Sequence, residues 1–258
     1  MGNARLARLV AELGANELLT RLREERTLAE EVSPIAVKLR GAQPERVLES
    51  AQRRGLRFVI PGDAEWPTGF DGLAHAEDAG RHGGPPLGIW VRGNGRLETL
   101  TVNAVAVVGS RSATTYGAGL AGQIGYGLAS TGTTVVSGAA FGIDQAAHNG
   151  ALAARGPTLA VLACGVDRPY PVAHTQLLER ICAEGAVISE QLPGSHPTRV
   201  KFLTRNRMIA ALGAGTVVVE AALRSGALST ANWATRLNRV LMGVPGPVTS
   251  AASGECTS

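Results

Sequence analysis

Residues 104–144 read AVAVVGSRSATTYGAGLAGQIGYGLASTGTTVVSGAAFGID, and this stretch decides the fold. It opens on five apolar residues, Ala104 to Val108, and breaks at Gly109-Ser110-Arg111. Apolar character returns in TTVVS at 133–137 before a second Gly-rich break. An apolar, Val-rich run without alternation suits a strand buried on both faces. The segment between the two runs reads as a helix over roughly 117–129. Strand, Gly turn, helix and strand make a βαβ unit, whose right-handed crossover leaves the two strands parallel.

Outward from there the alternation continues through TLAVLA (158–163), AVIS (186–189), TVVVEA (216–221) and VLMGV (240–244). The pattern predicts an α/β fold, a doubly wound, Rossmann-like and mostly parallel sheet of about six strands. Residues 1–54 read as a small helical module of helix-hairpin type, because LARLVAELG, ELLTRLREE and PERVLESAQRRG space their apolar residues by three and four. From 55 onward comes the sheet domain. It begins with LRFVI (56–60) and LGIWV (87–91), short strands and loops that lean on a neighbour, separated by turn signals such as Pro61-Gly62-Asp63 and Gly83-Gly84-Pro85-Pro86.

A chain of 258 residues that is 45% hydrophobic and 18% charged is folded rather than disordered. No apolar run approaches the ~20 residues that span a bilayer. The N-terminus carries Glu12 and Glu17 where a signal peptide has a compact apolar core. Cys164, Cys182 and Cys256 lack any C-x-x-C spacing, which indicates neither a disulfide framework nor a zinc site. These features read as a cytoplasmic protein with no metal and no cofactor.

The net charge of +4 is unevenly spread: residues 1–100 hold 14 basic and 14 acidic side chains, and residues 101–258 hold 11 and 7. Between Glu190 and Glu220 there is no acid, while Arg199, Lys201, Arg205 and Arg207 fall within nine positions. An anionic ligand or a solvated basic face accounts for such a run.

Ligands of doubly wound sheets bind at the carboxyl ends of the strands, so the residues after each strand carry the chemistry. Gly109, Ser110 and Arg111 outline a phosphate cradle: a Gly turn, the N-terminus of the following helix and a planar guanidinium. A purely structural turn fits the same residues, and G-x-G-x-x-G is absent. Ser137, Gly138 and Gly142 shape a second amide-rich loop, with Asp144 either capping the next helix or touching ligand. His148, four residues on, is either a general base paired with Asp144 or a satisfied helical histidine.

If Thr204 caps a helix, Arg205, Asn206 and Arg207 occupy its first turn, where cations oppose the helix dipole and an anion offsets the cost. Phe202 beside them either stacks a nucleobase or belongs to the core. Ser225 and Gly226 open a further helix, where hydroxyls cap or hold a phosphate.

Taken in order, VGSR, SGAAFGIDQAAH, CGVDRPYP, ISEQ, FLTRNRMIA, VVVEA, SGALSTA and VPGPV, with GDAEWP and PPLGIWVRGN upstream, resemble the DNA processing protein A family (DprA, also called Smf) over roughly residues 55–250. The resemblance implies a bacterial, non-enzymatic protein that binds single-stranded DNA on an extended Rossmann fold. It further implies a role in protecting incoming DNA and loading the RecA recombinase during natural transformation. By the same resemblance Arg111 meets backbone phosphate, Phe202 stacks a base beside Arg199 and Lys201, and Arg205, Asn206 and Arg207 line the same pocket. Two departures stand out. Phe141 occupies a position where the family often has Arg, so one cationic contact is missing or replaced by an apolar one. The sequence ends at SGECTS, where family chains continue into a Gly-containing strand and helix and often a winged-helix domain; this reads as a truncated end and leaves a homodimer open.

The competing reading is a nucleotide-processing hydrolase resembling the lysine-decarboxylase-like phosphoribohydrolases, with Glu190 and Glu220 as acid or base. Its P-G-G-x-G-T turn is missing, and the corresponding loop reads SGALST.

Overall fold

A computed structural model describes residues 2–23, 42–76, 83–221 and 225–246. Its centre is an eight-stranded sheet. The strands in chain order are β1 (Arg57–Val59), β2 (Ile89–Arg92), β3 (Ala104–Val108), β4 (Thr134–Ser137), β5 (Thr158–Val161), β6 (Ala186–Ser189), β7 (Gly215–Val218) and β8 (Val240–Gly243). In space they run β1-β2-β6-β5-β4-β3-β7-β8. From β3 to β8 neighbouring strands are parallel, as the crossovers require. The expectation of about six strands is corrected. β1 and β2 do not lean on the sheet but extend it, β2 pairing antiparallel with β6 so that Trp90 lies opposite Ser189. Strands of three and four residues are too short for their pattern to distinguish these two arrangements.

The helices are α1 (Ala4–Leu13), α2 (Ala15–Arg23), α3 (Pro44–Arg53), α4 (Leu97–Leu100), α5 (Thr115–Ser130), α6 (Ile143–Ala153), α7 (Thr175–Glu184), α8 (Arg199–Leu212) and α9 (Gly226–Arg236). Alternate strand residues feed opposite layers. Val107 and Val135 pack with Ala121, Ala147 and Ala151 of α5 and α6. Ala106, Val108, Val136 and Leu159 pack with Met208 and Ile209 of α8 and Ala231 of α9. Both faces are therefore covered, which is why the strands read as unbroken apolar runs.

At the chain start, Leu18 and Leu22 of α2 pack on Leu6, Leu9, Val10 and Leu13, while Ala51 of α3 joins the core beneath α7. The expectation of a truncated end falls on residues 247–258, outside the described residues. Among the described residues no helix is long and apolar enough to cross a membrane.

α5 and α6 approach backbone to backbone. A Cβ added at Gly150 would lie 2.1 Å from the Gly122 carbonyl oxygen, an atom that only a helix shift can move. Gly150→Ala is expected to cost about 1–3 kcal/mol as overpacking. A thermal melt should fall by several degrees, and an unchanged melt would show that the helices have room to separate.

Candidate nucleic-acid interface

Between β3 and β7 the strand order reverses, and at their carboxyl ends opens a cavity of about 300 Å³. Ligands of open α/β sheets bind at this kind of switch point. The walls are the turn after β3, the loop after β4, one face of α8 and the start of α9.

Glu220, after β7, ties the first wall down. Its carbonyl accepts from the Ser110 N–H at 2.7 Å, and its carboxylate accepts from the Thr114 N–H at 3.0 Å and from the Thr114 hydroxyl. Thr114 in turn caps α5 by accepting from the Gly117 N–H at 3.0 Å. The carboxylate weighed as an acid or base thus serves as scaffold. Glu190 is similarly engaged, 2.8 Å from the Arg207 guanidinium.

In the second wall Asp144 does not cap α6. Gly142 holds the cap position with φ 76°, and Asp144 Oδ2 accepts from the Gly138 and Ala140 N–H groups at 3.1 and 3.3 Å. A Cβ at Gly142 would fall 2.3 Å from the Ser110 carbonyl oxygen, so positive φ and close approach both call for glycine there. Burial pushes the Asp144 carboxyl above its ordinary range, with the Arg205 charge pulling the other way. Ser137 is corrected as a ligand contact: it is buried, and its hydroxyl donates to the Val107 carbonyl at 2.6 Å.

α8 starts earlier than expected. Thr198, just after Pro197, is its cap and accepts from the Lys201 N–H at 3.3 Å, whereas Thr204 lies inside the helix and donates to the Lys201 carbonyl at 3.2 Å. Arg205, Asn206 and Arg207 therefore lie beyond the first turn and diverge. Arg205 faces the cavity and Asp144. Its guanidinium lies over Gly138, where a Cβ would come within 1.6 Å of Nη1. Its buried Nε has no hydrogen-bond partner, and burial lowers its pKa to about 10. Asn206 fastens the start of α9, donating to the Gly226 carbonyl at 3.1 Å.

Arg207 does not line the pocket. It is fully buried, ion-paired with Glu190, and donates to the Gly84 and Thr204 carbonyls at 2.8 and 2.7 Å. Residues two apart on a helix point about 200° from one another, so Arg205 and Arg207 do not share a face. Arg199 and Lys201 sit at the start of α8, outside the cavity lining, with Lys201 Nζ donating to the His196 carbonyl at 2.7 Å.

What converges is Gly109, Ser110, Arg111, Phe202, Arg205, Asn206, Ser225 and Gly226. The Arg111 and Arg205 guanidinium carbons lie 4.7 and 6.0 Å from the centre of the Phe202 ring. Phe202 is half-buried and belongs to none of the core clusters among the described residues. Two cations on one aromatic ring, with a single buried carboxyl beside them, leave the cavity positive and suit an anion attached to something flat.

A family model described as DNA recombination-mediator protein A matches residues 57–258. The chain belongs to the DNA processing protein A family. A Mycobacterium tuberculosis relative named putative DNA processing protein DprA is 45% identical over 258 residues, covering 98% of this chain. The match spans 66% of that relative's own length. The crystal structure of DprA from Streptococcus pneumoniae superposes with a TM-score of 0.82 at 29% identity, covering all of this chain and 86% of the other. DprA from Helicobacter pylori, solved for its single-stranded DNA binding mode, gives 0.66 at 27% identity over 77% of this chain and 86% of its own.

Sequence reasoning missed Ser112, which also lines the cavity, and Tyr170, whose ring centre lies 5.7 Å from that of Phe202. Tyr170 follows the β5 run within CGVDRPYP, so the rule that ligands gather at carboxyl strand ends was the available signal.

Proposed function

We propose that the chain binds single-stranded DNA at this cavity, without catalysis, and that it acts in the cytoplasm to protect incoming strands and pass them to a RecA-type recombinase. The observation that carries the reading is the pair of guanidinium groups converging on Phe202 at the switch point. Arg111 is exposed and presents a fork for a phosphate, while Phe202 offers a π-face to any base. Ser110, Asn206, Ser225 and Gly226 supply further polar groups around the phosphate, and Gly138 leaves room for Arg205. The relative from Helicobacter pylori, whose structure concerns single-stranded DNA, supports the ligand class, and the family's recombination-mediator description supports the setting.

Duplex hides base faces, so oligo-dT should bind more tightly than duplex of equal length at matched salt. The logarithm of affinity should fall with that of salt by about 0.7 per phosphate neutralised. Arg111→Ala should melt like the parent chain, bind about tenfold more weakly and lose roughly one such increment of slope. Equal affinity for the two DNA forms, or an Arg111→Ala chain that binds unchanged, would overturn the reading.

A further inference from the structure

Sharing Phe202, Arg111 and Ala140 with the larger cavity is a second, smaller cleft of about 180 Å³, walled by Phe141, Tyr170 and Phe202 and bounded by Pro171 and Arg111. Phe141 and Tyr170 are 46% and 41% exposed, although both are large apolar rings that the fold has no need to display. Phe141 is held upright edge-on against His174, ring centres 4.6 Å apart, and His174 Nδ1 lies 3.0 Å from the Ala139 carbonyl. The cleft floor is the Gly138–Ala140 backbone, where the Gln145 N–H donates to the Ala140 carbonyl at 3.1 Å. Asp144 takes the Gly138 and Ala140 N–H groups, and His174 takes the Ala139 carbonyl.

We propose that Phe141 and Tyr170 form a second base subsite, in which a nucleobase of the bound strand stacks while its phosphate lies against Arg111. This deepens the single-stranded DNA reading and rests on it. Phe202 and Arg111 line both the cleft and the larger cavity, so the two are continuous along one path for a strand. The volume is below the ~300–1,000 Å³ of pockets that enclose a whole drug-sized ligand, and suits one flat ring system. With two of the floor's N–H groups and two of its carbonyls engaged and three aromatic rings for walls, the cleft holds a base chiefly by its faces. The subsite is accordingly indifferent to sequence.

The test measures affinity for oligo-dT and for a strand of equal length built of abasic nucleotides, which keeps the phosphates and removes the bases. Phe141→Ala combined with Tyr170→Ala should melt like the parent chain, bind oligo-dT about tenfold more weakly, and bind the abasic strand as before. Its salt slope should be unchanged, because no cation is removed. Tyr170→Phe should bind like the parent chain. If the double variant weakens both strands alike, or binds oligo-dT as tightly as the parent chain while Arg111→Ala weakens it, the cleft is not a base subsite and the wider reading survives. If the parent chain binds neither strand, the wider reading fails and the subsite with it.

Discussion

Arg207→Ala is expected to destabilise the protein by about 3–5 kcal/mol, because it strands a carboxylate that the fold has almost sealed. The Glu190 side chain is 10% exposed and that of Arg207 is 0% exposed, with 2.8 Å between them. Glu190 also accepts from the Gly2 N–H at 2.6 Å, so the ion pair joins the chain start to α8. Removing the guanidinium further takes the Arg207 donor from the Gly84 carbonyl and a second donor from the Thr204 carbonyl. Urea unfolding should show the loss as a lower midpoint. Neutralising both partners, with Arg207→Met and Glu190→Gln together, should recover a large part of it, since the uncompensated charge is then gone. A chain with Arg207→Ala that unfolds like the parent but binds single-stranded DNA poorly would place this arginine in the DNA site after all.

That contrast shows what the sequence can carry. Arg205 and Arg207 stand in one basic run, and composition ranks them alike. Their separation into a cavity residue and a buried strut follows from their two-residue spacing on α8, about 200° of rotation; which of the two faces meets the cavity is decided by packing. Placing the cap at Thr204 instead of Thr198 put Arg205, Asn206 and Arg207 in a first turn open to an anion, whereas they lie further along the helix, where one face is buried and the other meets the cavity. The parallel strands were legible because burial on both faces leaves an unmistakable apolar run, and the Gly109–Arg111 turn was legible because ligand crevices sit at strand ends. Ser137 failed for the opposite reason. A hydroxyl closing a buried strand and a hydroxyl facing a ligand look identical in sequence, and only the Val107 carbonyl 2.6 Å away distinguishes them. The aromatic cleft was invisible because Phe141 and Tyr170 come from two separate loops and Phe202 from the start of α8, and the three meet only in the fold.

Loss of stability in mild acid should trace to His148. Its ring is fully buried in α6, and Nδ1 lies 2.7 Å from the Thr158 hydroxyl, which itself donates to the Val135 carbonyl at 2.9 Å. That hydroxyl's proton is committed, so Nδ1 carries the hydrogen and donates; Nε2 is left bare, buried and without a partner. Burial, and then the nearby His174 and Arg205, hold the imidazole neutral and lower its pKa from 6.5 to about 3. The unfolded chain therefore takes up the proton first. The stabilisation is complete above pH 6.5 and is lost as pH falls toward 3, at up to about 1.4 kcal/mol per pH unit. By pH 5 the loss is about 2 kcal/mol. Asp144 acts with the opposite sign. Its raised value adds stability on acidification, so the curve of the parent chain alone is a sum of both. His148→Asn separates them, because asparagine can still donate to Thr158 but cannot titrate. Urea midpoints taken from pH 7.5 to 5 should fall more steeply for the parent chain than for His148→Asn, with the two converging as pH drops. Parallel curves would mean that the imidazole is protonated, or hydrated, within the fold.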